Sequence, residues 1–349
     1  MRCLSVALVA AITLAGVLPA RAMELNGSGS TFAFPIMTQW LKAYDGAGGT
    51  TIQYQPIGST GGITELAQNI VDFAITDAPL GQAELQREGL AQFPLVIGGI
   101  AIAVHLDGIG PGQLHLTGDV LAAIYQGSIT RWNDPAIAAL NPGLRLPNLA
   151  ILPVYRSDGS GTTYNFTEFL GKASVSFHTG IGSGTIVRWP LGVGARGTGG
   201  VGIVVRQIKG AIGYVEYSYA ARSGMTTALV RNKAGHDVAP SVEGFRIAAA
   251  AMDWASEQDF HMSVTDAAGP EAYPIVATSY VLMRSHPADP LAAQQLLRFF
   301  NWALEHGSQM AISIGYLPLP QTLVQQIQAQ TSRLFDGAMS STRAAGRPG

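Results

Sequence analysis

The strongest constraint on this chain is a local pattern that occurs three times: a turn rich in glycine, serine and threonine lies directly before a helical pattern. The turns are Gly27–Phe32 (GSGSTF), Gly58–Gly62 (GSTGG) and Asp158–Thr162 (DGSGT). Glycine lets backbone N–H groups approach one point, hydroxyls add donors, and a helix start carries partial positive charge. Each turn therefore predicts a cradle for an anion, although a single turn of this kind is more often an ordinary helix cap.

An arginine beside the third turn supplies a full positive charge. Arg156 ends the strand pattern that leads into the turn, and its planar guanidinium suits a bidentate contact with a tetrahedral oxyanion. Asp158 follows two residues later, and we interpret it as the partner that holds the guanidinium in place. The alternative is an exposed ion pair of little energetic value. Three cradles and an arginine in one chain favour a single shared oxyanion site.

Strand patterns alternate with helical patterns along most of the chain, which predicts an α/β protein with mainly parallel sheet order. Single hydrophobic cores stop growing at about 250–300 residues, so a chain of this length favours two lobes. Two long apolar segments, Phe93–Val104 and Tyr273–Met283, are interpreted as strands and as the two crossings between the lobes.

The first 22 residues predict an export signal. Arg2 precedes an apolar run from Leu4 to Leu18, and Ala20–Ala22 has the small residues of a cleavage site. The run is shorter than the roughly 20 residues needed to cross a bilayer, which disfavours a membrane anchor. We therefore expect a periplasmic protein whose mature chain begins near Met23.

Composition excludes several classes of function. Only 13% of the residues are charged and no basic run occurs, so a nucleic-acid partner is disfavoured. Loss of the signal removes Arg2, Arg21 and the single cysteine, Cys3, which leaves a formal charge of −4 and excludes disulfides and thiolate metal sites. No histidine or carboxylate cluster has metal-ligand spacing and no Walker pattern occurs, so no cofactor is expected.

Two further patterns are set aside. Ser160 stands where a nucleophile elbow would place a serine, but the glycine two positions before it is missing and no motif points to a histidine base. We therefore do not expect an enzyme. Two overlapping GxGxxG patterns lie between Gly192 and Gly202 without a convincing strand before them, and we interpret this stretch as a loop rather than a dinucleotide site.

The three turns, taken with other segments, resemble the periplasmic phosphate-binding protein of phosphate-specific ABC transporters. The resemblance extends in order over nearly the whole mature chain to about residue 335, apart from a weak match over 172–178. It rests on the turns and on these segments: Val71–Leu80 (VDFAITDAPL), Val96–Gly99 (VIGG), Asn141–Leu144 (NPGL), Arg188–Pro190 (RWP), Gly210–Tyr217 (GAIGYVEY) and Phe299–Trp302 (FFNW).

The resemblance implies a two-lobed periplasmic-binding-protein fold, in which each lobe is a mixed, mostly parallel sheet flanked by helices. It also implies a buried phosphate, held without metal and handed to the permease subunits of the transporter. Matched motif by motif, the expected ligand-binding residues are Thr31, Phe32, Ser59, Asp77, Arg156, Ser160, Gly161 and Thr162, with Asp158 supporting Arg156.

Asp77 is the informative residue of this set. A carboxylate repels an anion unless it accepts a hydrogen bond from it; phosphate has a proton to donate near neutral pH, whereas sulfate does not. Without the resemblance, Asp77 reads as a turn residue before Ala78 and Pro79.

Alternatives within the same scaffold stay open at this point. They are a binding protein for sulfate, molybdate or another tetrahedral oxyanion, and a phosphate sensor without a transport role. We expect a monomer. The predicted organisation is a signal peptide at 1–22, one lobe at 23–97 with 276–335, a second lobe at 98–275 and a tail at 336–349.

Overall fold

A computed structural model describes residues 24–254 and 260–345 of the 349-residue chain. The predicted signal peptide lies outside the described residues. The strands in these ranges are β1 (Leu25–Gly29), β2 (Ile52–Gln55), β3 (Phe73–Thr76), β4 (Leu90–Val104), β5 (His115–Leu116), β6 (Leu152–Arg156), β7 (Val193–Ala195), β8 (Ala211–Glu216), β9 (Thr226–Thr227), β10 (Leu229–Arg231), β11 (Asp237–Val238) and β12 (Val276–Arg284).

The helices in the same ranges follow the strands in alternation for most of the chain. They are α1 (Phe34–Gly46), α2 (Ser59–Ala67), α3 (Gln82–Glu88), α4 (Gly118–Gln126), α5 (Pro135–Leu140), α6 (Gly161–Ala173), α7 (Val175–Gly180), α8 (Gly197–Gln207), α9 (Tyr217–Arg222), α10 (Val242–Ala250), α11 (Pro290–His306), α12 (Ser308–Ser313) and α13 (Gln321–Ala345).

Nine strands form one continuous sheet in the order β2-β1-β3-β12-β4-β8-β6-β7, with β9 paired to β4. Parallel pairs occupy both ends of the sheet, where β1 pairs with β2 and β3, and β6 pairs with β7 and β8. In the centre of the sheet, β4 runs antiparallel to both of its neighbours, β12 and β8. This mixed α/β arrangement confirms the predicted two-lobed fold class.

β4 joins the two halves of the sheet. From Leu90 to Gly99 it pairs with β12, and from Ile100 to Val104 it pairs with β8. All of its residues are buried, as expected for an apolar strand with neighbours on both sides. The predicted strand at Phe93–Val104 is thus confirmed, and it begins earlier, at Leu90.

Aromatic side chains pack in each half of the sheet. Phe300 on α11 meets Phe73 of β3 edge-on, with ring centroids 5.3 Å apart. In the other half Phe166 of α6 stacks on Tyr214 at 4.3 Å and meets Tyr125 of α4 at 4.9 Å. Because Tyr214 and Phe166 are fully buried, they fix the start of α6 relative to β8.

The glycine-rich stretch that we expected to be a loop is instead a strand, a turn and a helix, and that expectation is wrong. β7 forms its first part, and α8 begins at Gly197, where φ is 68°. Burial of Val201 and Val205 against Gly213 of β8 outweighs the low helix propensity of glycine.

At the carboxyl end, α13 continues to Ala345 and therefore extends past residue 336, where the predicted tail begins. In the portion of the chain that the structure describes, no helix combines the length and apolar character needed to cross a membrane.

Candidate functional site

Each of the three predicted turns lies where the chain passes from a strand to the helix that follows it, and each overlaps the end of one of these elements. Ser59 is the first residue of α2, preceded by Gly58 at a φ of 98°. Ser160 caps the amino end of α6, where its hydroxyl accepts from the Thr163 amide at 3.2 Å. Thr31 lies in the short turn between β1 and α1. The strands before α1 and α2 run parallel to β4 and the strand before α6 runs antiparallel to it, so these helix starts face one another where the two halves meet. Helix starts favour anions.

The second and third turns meet at Asp77, which follows β3. The Ser59 hydroxyl oxygen accepts from the Gly161 amide at 3.0 Å and from the Asp77 amide at 3.4 Å. The Asn165 side-chain amide donates to the Asp77 carbonyl at 2.6 Å and to the Gly161 carbonyl at 2.8 Å. Ser59, Asp77, Gly161 and Asn165 are buried, so this junction is closed to solvent.

Arg156 and Asp158 form a pair that is largely shielded from solvent, rather than the exposed ion pair that the sequence left as an alternative. The Arg156 Nε donates to Asp158 Oδ1 at 2.8 Å, and its Nη2 donates to Asp158 Oδ2. The Arg156 side chain is only 2% exposed. Burial alone would raise the pKa of Asp158, but the hydrogen bond and charge of Arg156 and the Gly197 amide lower it below its usual value. The carboxylate is therefore a fixed counter-charge that orients the guanidinium.

The Asp77 carboxylate has two partners that the sequence did not suggest. Ser30 Oγ lies 2.7 Å from both carboxylate oxygens, and Ser279 Oγ donates to Oδ1 at 2.7 Å. Burial raises the pKa of Asp77 to about 6, against the opposing effects of Ser279, Ser30 and the charge of Arg156. The available signals were weak: Ser30 stands within the first turn, and Ser279 is a polar residue in an apolar strand.

The remaining predicted residues lie around this junction. Thr162 Oγ1 is buried and has no hydrogen-bond partner among the described residues. The Phe32 amide donates to Ser30 Oγ at 3.0 Å, so in this arrangement it already has a partner. Thr31 Oγ1 lies 3.1 Å from Thr198 Oγ1, which places the first turn against the start of α8.

Direct contacts bridge the two halves on either side of the junction. The Thr60 amide donates to the Gly159 carbonyl at 3.2 Å, and the Thr60 hydroxyl donates to the Thr185 hydroxyl at 3.2 Å. Thr31 and Thr198 form the contact on the opposite side. The structure is therefore a closed arrangement in which both halves contribute to one site.

The chemistry of this site follows from its charges and donors. One guanidinium, several hydroxyls and the starts of α2 and α6 offer donors to an anion, while one carboxylate offers an acceptor. Within residues 24–254 and 260–345, no group of three or more histidine, cysteine, aspartate or glutamate side chains is placed to hold a metal ion. The arrangement suits an oxyanion that carries a proton of its own.

Comparisons with known proteins agree with this chemistry. A family model described as a PBP superfamily domain matches residues 18–306. The chain is 46% identical to the phosphate-binding protein PstS of Xylella fastidiosa (strain 9a5c) over 315 residues, which make up 90% of this chain and 86% of that protein. It is 41% identical to PstS of Pasteurella multocida (strain Pm70) over 313 residues, or 90% of this chain and 91% of the relative.

A solved structure has a similar backbone. The high-affinity periplasmic phosphate-binding protein PfluDING, solved with bound phosphate, matches with a TM-score of 0.69 and 22% identity over 88% of this chain and 93% of its own. At this level of identity the structural similarity concerns the fold.

Proposed function

Because this chain belongs to the PBP superfamily and, within it, to the PstS phosphate-binding proteins, we propose that it binds inorganic phosphate and supplies it to an ABC-type phosphate transporter. The binding site is the junction of Ser59, Asp77, Arg156 and Gly161 between the two halves of the molecule. The relatives are binding proteins, and the role we assign is likewise binding and delivery rather than catalysis.

The observation that carries this proposal is the buried Asp77 carboxylate beside buried cationic and hydroxyl donors. A carboxylate accepts up to about four hydrogen bonds. Ser30 has one proton to share between the two oxygens and Ser279 donates to Oδ1, so acceptor positions on Asp77 are left over for a ligand. A phosphate hydroxyl fills such a position, whereas the bare oxygens of sulfate are repelled.

The other predicted residues act as donors in this proposal. Ser59 Oγ accepts from two amides, so its own proton is free to point toward the anion. The Thr162 hydroxyl, for which the described part of the chain provides no hydrogen-bond partner, is a further donor. Arg156, oriented by Asp158, supplies the charge, and Thr31 and Ser160 add hydroxyl donors. Phe32 and Gly161 line the site, with amides that donate to Ser30 and Ser59.

The limits of the lobes are part of the same proposal: 23–97 with 276–335 form one lobe and 98–275 the other. The change of partner along β4 between Gly99 and Ile100 supports a boundary near residue 98. We expect the lobes to open by hinge motion at the crossings and to close on phosphate.

Delivery and location rest on similarity and on the predicted export signal. PfluDING is a periplasmic protein, and this chain begins with a predicted cleavable signal. We propose a periplasmic monomer that docks on the permease subunits of the transporter. Mass determination of the exported protein, with light scattering, tests both cleavage near Met23 and the monomeric state.

Calorimetric titration of the phosphate-free protein tests the binding function. We expect saturable heat with phosphate and none with sulfate or molybdate at about pH 8, where Asp77 is ionised. Equal binding of sulfate would contradict the assignment and favour a protein for another oxyanion.

A further inference from the structure

We propose that Ser30, with Ser279, keeps the Asp77 carboxylate ionised and oriented, and that Ser30 thereby extends the preference for phosphate over sulfate toward acidic pH. The inference rests on the proposed phosphate site. It assigns a specificity role to a positioning residue that is outside the predicted ligand-binding set.

The hydrogen bonds that the Ser30 hydroxyl accepts determine where its own proton points. Its hydroxyl oxygen accepts from the Phe32 amide at 3.0 Å and from the Ala33 amide at 3.2 Å. A hydroxyl has two lone pairs and one proton, so both lone pairs are occupied and the proton must be donated elsewhere. The oxygens of Asp77 lie 2.7 Å away. Ser30 is therefore a fixed donor to the carboxylate and does not act as an acceptor from it.

The clamp made by Ser30, Asp77 and Ser279 belongs to one half of the molecule. Ser30 follows β1, Asp77 follows β3 and Ser279 lies on β12, and these three strands are adjacent in the sheet. Arg156, at the end of β6, comes from the other half. When the halves separate, Arg156 withdraws while both serine donors stay, so the clamp is in place before phosphate arrives.

Few other groups influence the charge of Asp77. Arg156 faces it from β6, Tyr54 from β2 and Tyr316 from the segment after α12. Burial raises the pKa of both tyrosines well above the usual value, so they stay neutral across the pH range that matters. Burial therefore favours the neutral form of Asp77, whereas the two serines and Arg156 favour the ionised form.

The protonation state of Asp77 decides which oxyanion fits. The ionised carboxylate accepts a hydrogen bond from the phosphate hydroxyl and repels sulfate. The protonated carboxyl instead donates a hydrogen bond and therefore tolerates sulfate. A hydrogen bond donated to the ionised form favours that form. Removal of the Ser30 hydroxyl should therefore move the onset of sulfate binding to higher pH.

The test measures phosphate and sulfate dissociation constants for the wild type and Ser30→Ala between about pH 5 and pH 8.5, which brackets the titration of Asp77. The ratio of variant to wild type at each pH removes the effect of phosphate's own titration. We expect sulfate binding to appear about one pH unit higher in the variant. Phosphate affinity at about pH 8.5 should stay within roughly threefold, because Asp77 is ionised in both proteins there.

Two further variants make the result specific. Ser28→Ala removes another buried serine hydroxyl from β1, one without a hydrogen-bond partner among the described residues, and should leave the profile unchanged. Ser279→Ala removes the second donor and should shift the profile in the same direction as Ser30→Ala. It also keeps the proposal testable if Ser30→Ala does not fold.

The outcomes separate this inference from the function on which it rests. A wild type that binds phosphate and rejects sulfate, with serine variants that titrate identically to it, overturns the clamp but leaves the phosphate site intact. A wild type that binds no phosphate at any pH overturns the proposed function itself.

Discussion

The Ser59 hydroxyl oxygen accepts a hydrogen bond from the Gly161 amide at 3.0 Å, although 102 positions separate the two residues in the chain. Ser59 begins α2 in one half and Gly161 begins α6 in the other, so the bond exists only where the halves meet. A Cβ at Gly161 would lie 2.6 Å from the Asp77 Cβ and 2.7 Å from the Asp77 nitrogen. The halves thus approach at a point where only glycine leaves room.

Gly161→Ala should therefore oppose closure without harming the separate halves. A contact this short against backbone costs about 1–3 kcal/mol, which corresponds to a loss of phosphate affinity of roughly 5- to 150-fold. Calorimetry measures the affinity, and thermal unfolding without phosphate should be unchanged. Gly199→Ala, where a Cβ meets no atom within 4 Å, is the matched control; an equal loss there would refute the steric argument.

Asp77→Asn should reduce the preference for phosphate over sulfate. The amide removes the negative charge that repels sulfate and offers N–H donors in its place. We expect the ratio of the two dissociation constants to fall by about 10-fold or more at pH 8, where the wild-type carboxylate is ionised. Competition titrations measure this ratio, and an unchanged ratio would remove Asp77 from its assigned role.

Arg156→Ala should weaken phosphate and all other oxyanions by a similar factor, because the guanidinium supplies charge rather than discrimination. Loss of a buried charge partner costs about 2–5 kcal/mol, or roughly 30- to several-thousand-fold in affinity. Arg156→Lys keeps the charge but not the fork held by Asp158, so it should recover only part of the loss. Full affinity in the alanine variant would place Arg156 outside the site.

The parts of the site that the sequence predicted are those with a local signal. A glycine- and hydroxyl-rich turn before a helical pattern can be recognised within a few residues, which is why Ser59, Ser160 and their neighbours were identified. Asp77 has no such signal and was found through family resemblance alone.

The residues that the sequence missed depend on the order of strands. Ser30 and Ser279 reach Asp77 from positions 47 and 202 residues away, because β3 lies between β1 and β12 in the sheet. The failed loop prediction at α8 has a similar origin. Its glycines argue against a helix locally, and only packing of Val201 and Val205 on β8 reverses the preference.

Contacts that bridge the halves without touching the anion should control how long phosphate stays bound. Thr60→Val removes the hydroxyl bond to Thr185 but keeps the Thr60 amide bond to Gly159. A hydrogen bond contributes about 1 kcal/mol, so phosphate should dissociate roughly fivefold faster, with little change in association rate. Stopped-flow tryptophan fluorescence measures both rates.

Thr64→Val is the matched control for that variant. Thr64 lies one turn further along α2, and its hydroxyl donates to the Thr60 carbonyl at 2.9 Å within the same helix. Its dissociation rate should equal that of the wild type. Equally fast dissociation in both variants would trace the effect to α2 itself rather than to the bridge.

Glu216 should make the stability of the phosphate-free protein depend on pH. It ends β8 beside Ile100, where β4 changes partner, and its carboxylate accepts from the Ser218 and Tyr219 amides. Burial nevertheless raises the pKa of Glu216 to about 8. A carboxyl whose pKa is raised on folding stabilises the protein most below its unfolded pKa, and that stability is lost as pH rises through the folded value.

Between pH 6.5 and 8.5 this loss amounts to roughly 2 kcal/mol, and Asp77, with its pKa of about 6, has largely completed its own change below that interval. Glu216→Gln removes the titration, so its unfolding temperature should fall less over this interval than that of the wild type. Calorimetric unfolding in phosphate-free buffer measures the difference. Glu243→Gln, at an exposed position whose pKa Arg246 lowers, should follow the wild type; a Glu216→Gln protein with the same slope would show that Glu216 is already ionised at pH 6.5.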